Sequence, residues 1–230
     1  MSIRLSTYLS EGVHDSGKFK AIIMAGGPGA GKSYQIDRIS TDSGIIPKVV
    51  NIDHPVERLS SRYSDVVQLL DTAERITVAR LIMYIAGGLP LIIDSTSANF
   101  RVTLHRAELL RNLGYDVGMV YVKSDLHAAH LRNSLRQRNV PSHVVDELHS
   151  NIDIHADTYR RVFSSTFFTT IKVDEMDDVA IRQISKKAAT FFKQDLMNDI
   201  GQRLVDSNKR GNYYNPGTIS ASVSKWFSAE

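Results

Sequence analysis

One stretch constrains the fold more than any other: residues 19–33, FKAIIMAGGPGAGKS, an apolar run that ends in glycines and a Lys-Ser pair. The run shows no alternation of apolar and polar positions, so it reads as a strand buried on both faces of a parallel sheet. Gly26, Gly27, Pro28, Gly29, Ala30, Gly31, Lys32 and Ser33 then satisfy G-x-x-x-x-G-K-[ST]. The spacing has a physical basis. Glycines let successive backbone N–H groups converge on phosphate oxygens, and the following helix adds its N-terminal donors. In such a loop Lys32 reaches the β and γ phosphates and the Ser33 hydroxyl faces Mg²⁺.

The rest of the chain repeats the alternation of strand and helix. Strands are expected at 47–53 (PKVVNID), 89–94 (LPLIID), 117–123 (VGMVYVK) and 167–174 (FFTTIKVD). Helices are expected over 32–40, 54–63, 72–88, 100–116, 125–138, 140–163 and from Asp178 towards Lys209. Asp125 is placed to cap the helix that follows it. Strands joined by helical crossovers imply a three-layer α/β domain around a mainly parallel five-stranded sheet. The expected organisation is an N-terminal extension over 1–18, one domain over 19–209 with a helical lid at about 130–163, and a tail over 210–230. The tail lacks periodicity and is expected to be extended.

Composition narrows the function classes. The chain has 230 residues and no cysteine, which excludes disulfides and thiolate metal sites. Its His residues show no H-E-x-x-H spacing. No apolar run approaches the ~20 residues of a membrane span, and the N-terminus lacks a signal-peptide core; the expected location is cytoplasmic, or host cytoplasm if the gene is a phage's. A net charge of +3 permits an anionic partner without demanding one. Oligomeric state leaves no mark in the sequence.

A triphosphate loop serves switches, motors and kinases, and the downstream residues separate these. The strand that could carry a motor's Asp-Glu pair reads LIIDST, with Ser95 after Asp94. The base-reading N/T-K-x-D motif of GTP switches is missing from the sequence. Both features favour group transfer over hydrolysis. Asp53 closes the second strand, expected beside the loop strand, and a carboxylate there can take the proton of an attacking hydroxyl. Asp94 closes the third and can hold Mg²⁺ or fix the acceptor. Each could instead cap the helix that follows. Arg132 and Arg136 stand four apart, the spacing of one helix face, with Arg138 nearby. Arginines on a lid can clamp a phosphoryl group in transfer.

Four segments, GGPGAGKS, VVNID, LIIDST and RNSLRQRNVPSHVV, occur in the order found in a group of P-loop kinases. The chain resembles that group, which includes phage polynucleotide 5′-kinase, the zeta toxins and phage kinases acting on hydroxymethyluracil in DNA. The likeness spans roughly 20–175, and the lid segment is its most specific part. It implies an adenylate-kinase-like sheet and ATP with Mg²⁺. It also implies Asp53 as general base, Lys32 and Ser33 on phosphate and metal, Asp94 near the acceptor, and Arg132 and Arg136 as lid arginines. The C-terminal D-x-D-G-T phosphatase motif of phage polynucleotide kinase is missing, so a dual end-healing enzyme is not expected. The zeta toxins' longer sugar-nucleotide region is not traceable either.

The leading expectation is transfer of the ATP γ-phosphate to a hydroxyl on DNA, either a 5′ end or a hydroxymethylated base. Tyr213, Tyr214 and Trp226 in the tail are then candidates for stacking on bases, or else they pack on the domain. The alternatives are a zeta-toxin-like kinase of a nucleotide sugar or nucleoside, and a nucleotide-binding regulator without transfer activity.

Overall fold

The computed structural model describes residues 16–136, 139–208, 212–224 and 226. Its centre is a five-stranded parallel sheet in the order β2-β3-β1-β4-β5. The strands are β1 (Lys20–Ala25), β2 (Lys48–Val50), β3 (Leu91–Asp94), β4 (Asp116–Lys123) and β5 (Phe168–Lys172). All the strands expected from sequence are present. One expectation about their arrangement is corrected. β2 does not lie beside the loop strand, because β3 stands between them. The reason lies in burial: Leu91, Ile92 and Ile93 are covered on both faces and need neighbours on both sides, whereas β2 is three residues long, opens with Lys48 and sits at the edge.

Successive residues of the strands point to opposite faces and build two separate cores. Ala21, Ile23, Leu91, Ile93, Val117 and Met119 face one way. They meet α3 (Val66–Ala86), α4 (Phe100–Asn112), α6 (Ser142–Phe163) and α9 (Pro216–Val223) through Leu81, Leu110, Phe163 and Ile219. Ile22, Met24, Ile92, Val120 and Ile171 face the other way, onto α1 (Lys32–Ser43) and α7 (Asp178–Phe191). The three-layer α/β expectation holds. Each fully buried Ile or Leu contributes about 1.5–3 kcal/mol, and those contributions fix which way the strand ends, and therefore the loops after them, point.

Helix boundaries shift for identifiable reasons. The segment expected as a helix over 54–63 divides into α2 (Asp53–Leu59) and a 3-10 turn at Ser60–Arg62. α3 starts earlier than expected, where the Asp65 side chain accepts the Val67 N–H. The helix expected from Asp178 to Lys209 is interrupted: α8 (Asp199–Ser207) begins afresh at Asn198, whose side chain accepts the N–H of Ile200 and Gly201. A buried ion pair holds the break. Lys20 Nζ lies 2.7 Å from Asp116 and donates to the Asp195 carbonyl at 2.8 Å, while Asp116 also accepts the Met197 N–H at 2.8 Å.

The segment expected as a lid, about 130–163, takes in the end of α5 (Leu126–Ser134) and all of α6. Asp125 caps α5 as expected, accepting the Ala128 N–H. The connection to α6 is closed by Asn133, which donates to the Val140 carbonyl at 2.7 Å and accepts the Val140 N–H at 3.1 Å.

The tail departs from the expected extended chain. Asn215 caps α9, with Pro216 at the first helical position. Tyr213 and Trp226 are buried in the core, at 7% and 1% exposure, so neither is presented for stacking on bases; Tyr214 packs against the same cluster. Arg106 donates to the Trp226 carbonyl at 2.8 Å and lies over its ring. Burial lowers the Arg106 pKa to about 10, against an opposing pull from Glu74. Trp226→Ala is expected to destabilise the fold by about 3–5 kcal/mol, the cost of emptying a buried aromatic site. Urea unfolding measures it, and a change below ~1 kcal/mol would show the tail to be dispensable.

Candidate active site

β1 delivers the chain to Gly26, and the glycine-rich turn begins there. Gly26, Gly29 and Gly31 have φ of 152°, 77° and 90°, values that side-chain-bearing residues rarely adopt. The Gly26 N–H is held by the Thr96 carbonyl at 3.0 Å, which ties the loop to the β3–α4 connection. That connection turns at Ser97, at φ 58°, and is pinned there. The Ser97 hydroxyl donates to the Met24 carbonyl, and the Ser97 carbonyl accepts from Tyr159 of α6. α1 then starts at Lys32 without a side-chain cap. Its first N–H groups present the partial positive charge that seats a phosphate.

The far side of the loop is packed against the lid helices. A Cβ on Gly29 would lie 2.2 Å from the Ala129 carbonyl oxygen, and one on Gly27 would lie 2.1 Å from the His149 ring. His149 Nε2 is 3.0 Å from the Pro28 carbonyl. Gly29→Ala therefore combines a clash with a backbone conformation costing about 1–2 kcal/mol. It is expected to weaken nucleotide binding by roughly tenfold or more, measured by fluorescent-nucleotide titration. Unchanged affinity would show that the loop tolerates a shift away from α5.

Lys32 folds back over the loop, donating to the carbonyls of Gly26 at 2.7 Å and Gly27 at 3.2 Å. Burial pulls its pKa below the ordinary lysine value; Asp94 and Asp53 push it up and Arg136 pushes it down. Asp94, Arg136 and Asp53 are thus each near enough to act on the Lys32 charge. Asp94 stands opposite Met24 in the sheet register, beside the root of the loop. Asp53 is exposed at the first turn of α2, beyond the end of β2. The capping role weighed for Asp94 falls to Asn99, which caps α4; α2 starts after Ile52 with Asp53 in its first turn, and Asn51 accepts the Asp53 N–H at 2.6 Å. Asn51 also donates to Asp94 at 2.6 Å.

The arginines divide. α5 ends at Ser134, so Arg136 lies past the helix and does not share a face with Arg132. The four-residue spacing fails because Asn133 turns the chain towards Val140. Arg136 nevertheless reaches the field of Lys32. Arg132 is committed elsewhere. It donates to the Gly29 carbonyl at 3.3 Å and pairs with the Asp174 carboxylate, whose second oxygen accepts the Asp125 N–H at 2.8 Å. It braces the loop from outside. Arg138 lies outside the described residues.

Sequence reasoning missed Asn51, His149 and Asp174. An Asn two residues before a helix is an Asx-turn signal that could have revealed Asn51; nothing local marks the other two. A cavity of about 850 Å³ adjoins the loop's outer flank and shares His149 and Asp174 with it, but it contains neither Lys32 nor the two strand-end carboxylates. On its wall, Lys123 pairs with Asp153 at 3.0 Å. Tyr121 donates to the same carboxylate; burial first, then that hydrogen bond, drive its pKa far above the ordinary phenol value.

Ser33 is exposed at the first turn of α1, and Asp94 is half-buried at the end of β3. A hydroxyl and a carboxylate are the oxygen donors a hard cation takes, and Mg²⁺ needs few of them when phosphates supply the rest. The described residues hold no cluster of three or more His, Asp or Glu able to bind a metal unaided. No described helix is long and apolar enough to cross a membrane.

A parallel sheet in the order 2-3-1-4-5, a G-x-x-x-x-G-K-S turn after its central strand and a helical lid define a P-loop kinase fold. The Zeta toxin family's sequence profile matches residues 6–187. The chain belongs to that family, and it is a nucleotide-using phosphotransferase. Among solved structures it is similar to one from the PezAT chromosomal toxin-antitoxin system of Streptococcus pneumoniae: 18% identity, 88% of this chain and 90% of that one covered, TM-score 0.52. A deoxyadenosine kinase from M. mycoides with bound dCTP gives 15% identity, coverage of 74% and 98%, and a TM-score of 0.45. A gluconokinase from Sinorhizobium meliloti 1021 gives 13% identity, coverage of 76% and 94%, and a TM-score of 0.48. At these identities the likeness is one of fold. No curated protein sequence matches the chain.

Proposed function

We propose that the protein transfers the γ-phosphoryl group of ATP to the hydroxyl of a small molecule, a nucleotide sugar or a nucleoside. The observation that carries the transfer reading is the placement of Asp94 at the end of β3, opposite Met24 at the root of the loop, where its charge and those of Asp53 and Arg136 act on Lys32. In the proposed step the bond between the γ phosphorus and the ADP oxygen breaks, and a bond to the acceptor oxygen forms. Asp53, exposed and at the acceptor side, takes the acceptor's proton. Lys32 leaves the loop carbonyls for the phosphates, and Arg136 faces the transferred group. Ser33 and Asp94 would hold Mg²⁺, which when bound neutralises charge building on the phosphoryl oxygens. Arg132 keeps the loop in shape through the Gly29 carbonyl and Asp174. The kinase unit in this reading is residues 19–209, with the tail packed onto it.

Membership of the Zeta toxin family supports a small-molecule acceptor. So does the burial of Tyr213 and Trp226, which removes the aromatic platform a DNA acceptor had in its favour. The lid segment RNSLRQRNVP supports a second reading, transfer to a DNA 5′-hydroxyl or to a hydroxymethyluracil base, by its likeness to polynucleotide kinase. Two of its residues have structural tasks here, Asn133 in closing the lid turn and Arg132 in bracing the loop.

One assay tests both readings. The protein is incubated with γ-labelled ATP, Mg²⁺ and, separately, UDP-N-acetylglucosamine, a set of nucleosides, a 5′-hydroxyl oligonucleotide and end-blocked DNA containing hydroxymethyluracil. Label on a sugar nucleotide or nucleoside alone is the expected result. Label on DNA alone overturns the small-molecule reading in favour of the second.

A further inference from the structure

Between the two strand-end carboxylates stands a side chain that the proposed transfer leaves without a task. Asn51 donates through Nδ2 to Asp94 Oδ2 at 2.6 Å and accepts the backbone N–H of Asp53 through Oδ1, also at 2.6 Å. We infer that Asn51 is a positioning residue for phosphoryl transfer, setting the Asp94 carboxylate with its donor and the Asp53 side chain with its acceptor. The inference rests on the kinase reading above and assigns a role to a residue outside the phosphate loop, the strand-end carboxylates and the lid arginines.

The fold explains why such a device is needed at this point. β2 is the edge strand and pairs with β3 over three positions only, the last of them Val50 with Ile93. Beyond that pair the backbones separate, β2 into α2 and β3 into the loop that carries Ser97. Asp94 still ends β3, whereas Asp53 lies three residues past the last β2–β3 rung, at the start of α2. The Asn51 side chain supplies the next tie across the gap. Its second bond fixes the first turn of α2, so that the Cα–Cβ direction of Asp53 follows from the position of Asp94.

The chemistry explains why the residue is Asn. The two tasks have opposite polarity, a donor towards a carboxylate and an acceptor towards an N–H, and a primary amide offers both in one plane. Asp would keep the acceptor and set a second carboxylate against Asp94. Ser would keep a single, shorter oxygen for the Asp53 N–H and lose reach to Asp94. Ala would remove both bonds.

These differences order the test. Asn51→Ala, Asn51→Ser and Asn51→Asp are compared with wild type and with Asp53→Asn for kcat, for the KM of the acceptor, for nucleotide affinity by titration and for Tm. The expected result is a kcat about 30–100-fold lower in Asn51→Ala, the scale of a misplaced reacting group. Nucleotide affinity stays within about threefold, since the phosphate loop is untouched. Asn51→Ser recovers part of that loss, and Asn51→Asp falls below Asn51→Ala. The inference is overturned if all three variants keep kcat within about threefold of wild type, or if kcat, nucleotide affinity and Tm fall together as for a purely structural tie. Should Asn51→Ala fail to fold, the Ser and Asp variants carry the comparison. Wild-type transfer that Asp53→Asn abolishes and the Asn51 changes leave unmoved overturns this inference alone. A wild type that transfers to no acceptor overturns it together with the kinase reading.

Discussion

Asn in place of Asp53 is expected to cut phosphate transfer sharply while leaving nucleotide affinity within about twofold of wild type, because its effect falls on proton transfer and not on the phosphate loop. The substitution keeps the size of the side chain and the backbone N–H bond to Asn51, so α2 starts where it did. What disappears is the basic oxygen. A positioned general base contributes about 10²–10⁴-fold, and kcat is expected to fall by that factor. Acceptor-dependent ADP formation measures kcat, and nucleotide titration measures affinity. Transfer surviving within about tenfold would leave Asp53 only a role in local structure. Asp53 is exposed in the first turn of α2, within reach of an incoming acceptor, and there it also complements the helix N-terminus.

Replacing Lys32 by Ala is expected to lower kcat by about 10²–10³-fold, the cost of losing a charge aimed at a developing anion. Its signature differs from that of Asp53. Lys32 is bonded to the Gly26 and Gly27 carbonyls, so its removal also releases the loop from its own side chain, and nucleotide affinity falls together with kcat. Lys32→Arg is not expected to rescue, because a planar guanidinium cannot take the place of a compact ammonium at the centre of the turn. Nucleotide titration alongside single-turnover transfer separates the two effects. An unchanged kcat with weakened binding would make Lys32 a binding group only.

Much of the fold was legible because parallel strands buried on both faces leave continuous apolar runs, and the loop motif marks which strand carries the phosphate site. The positions of the strands followed from these runs. Their order did not, since β3 takes the place beside β1 through pairing between residues some seventy positions apart. The comparison of KVV with LIID carries the clue, an edge strand against a central one. The lid arginines illustrate a different failure. The spacing of Arg132 and Arg136 assumes a helix through both, and Asn133 ends that helix by bonding across the turn to Val140. The tail was read as extended because α9 is too short to show a helical period, although Asn215-Pro216 is a helix-start signal. Of the proposed site residues, Lys32 is suggested by the loop motif and Asp53 and Asp94 by their places after expected strands, whereas Arg136 was reached through a helix spacing that the structure does not keep. His149 and Asp174 were not legible, because only the tertiary packing of α6 and β5 brings them to the loop.

Whether the triphosphate site serves transfer or hydrolysis is read from the stoichiometry of ADP to phosphorylated acceptor. With a saturating small-molecule acceptor, ADP formation should accelerate well above its acceptor-free rate, and each ADP should be matched by one phosphorylated acceptor. ADP formed at the same rate with and without every acceptor, small molecule and DNA alike, with all the phosphate released as the free ion, would contradict transfer.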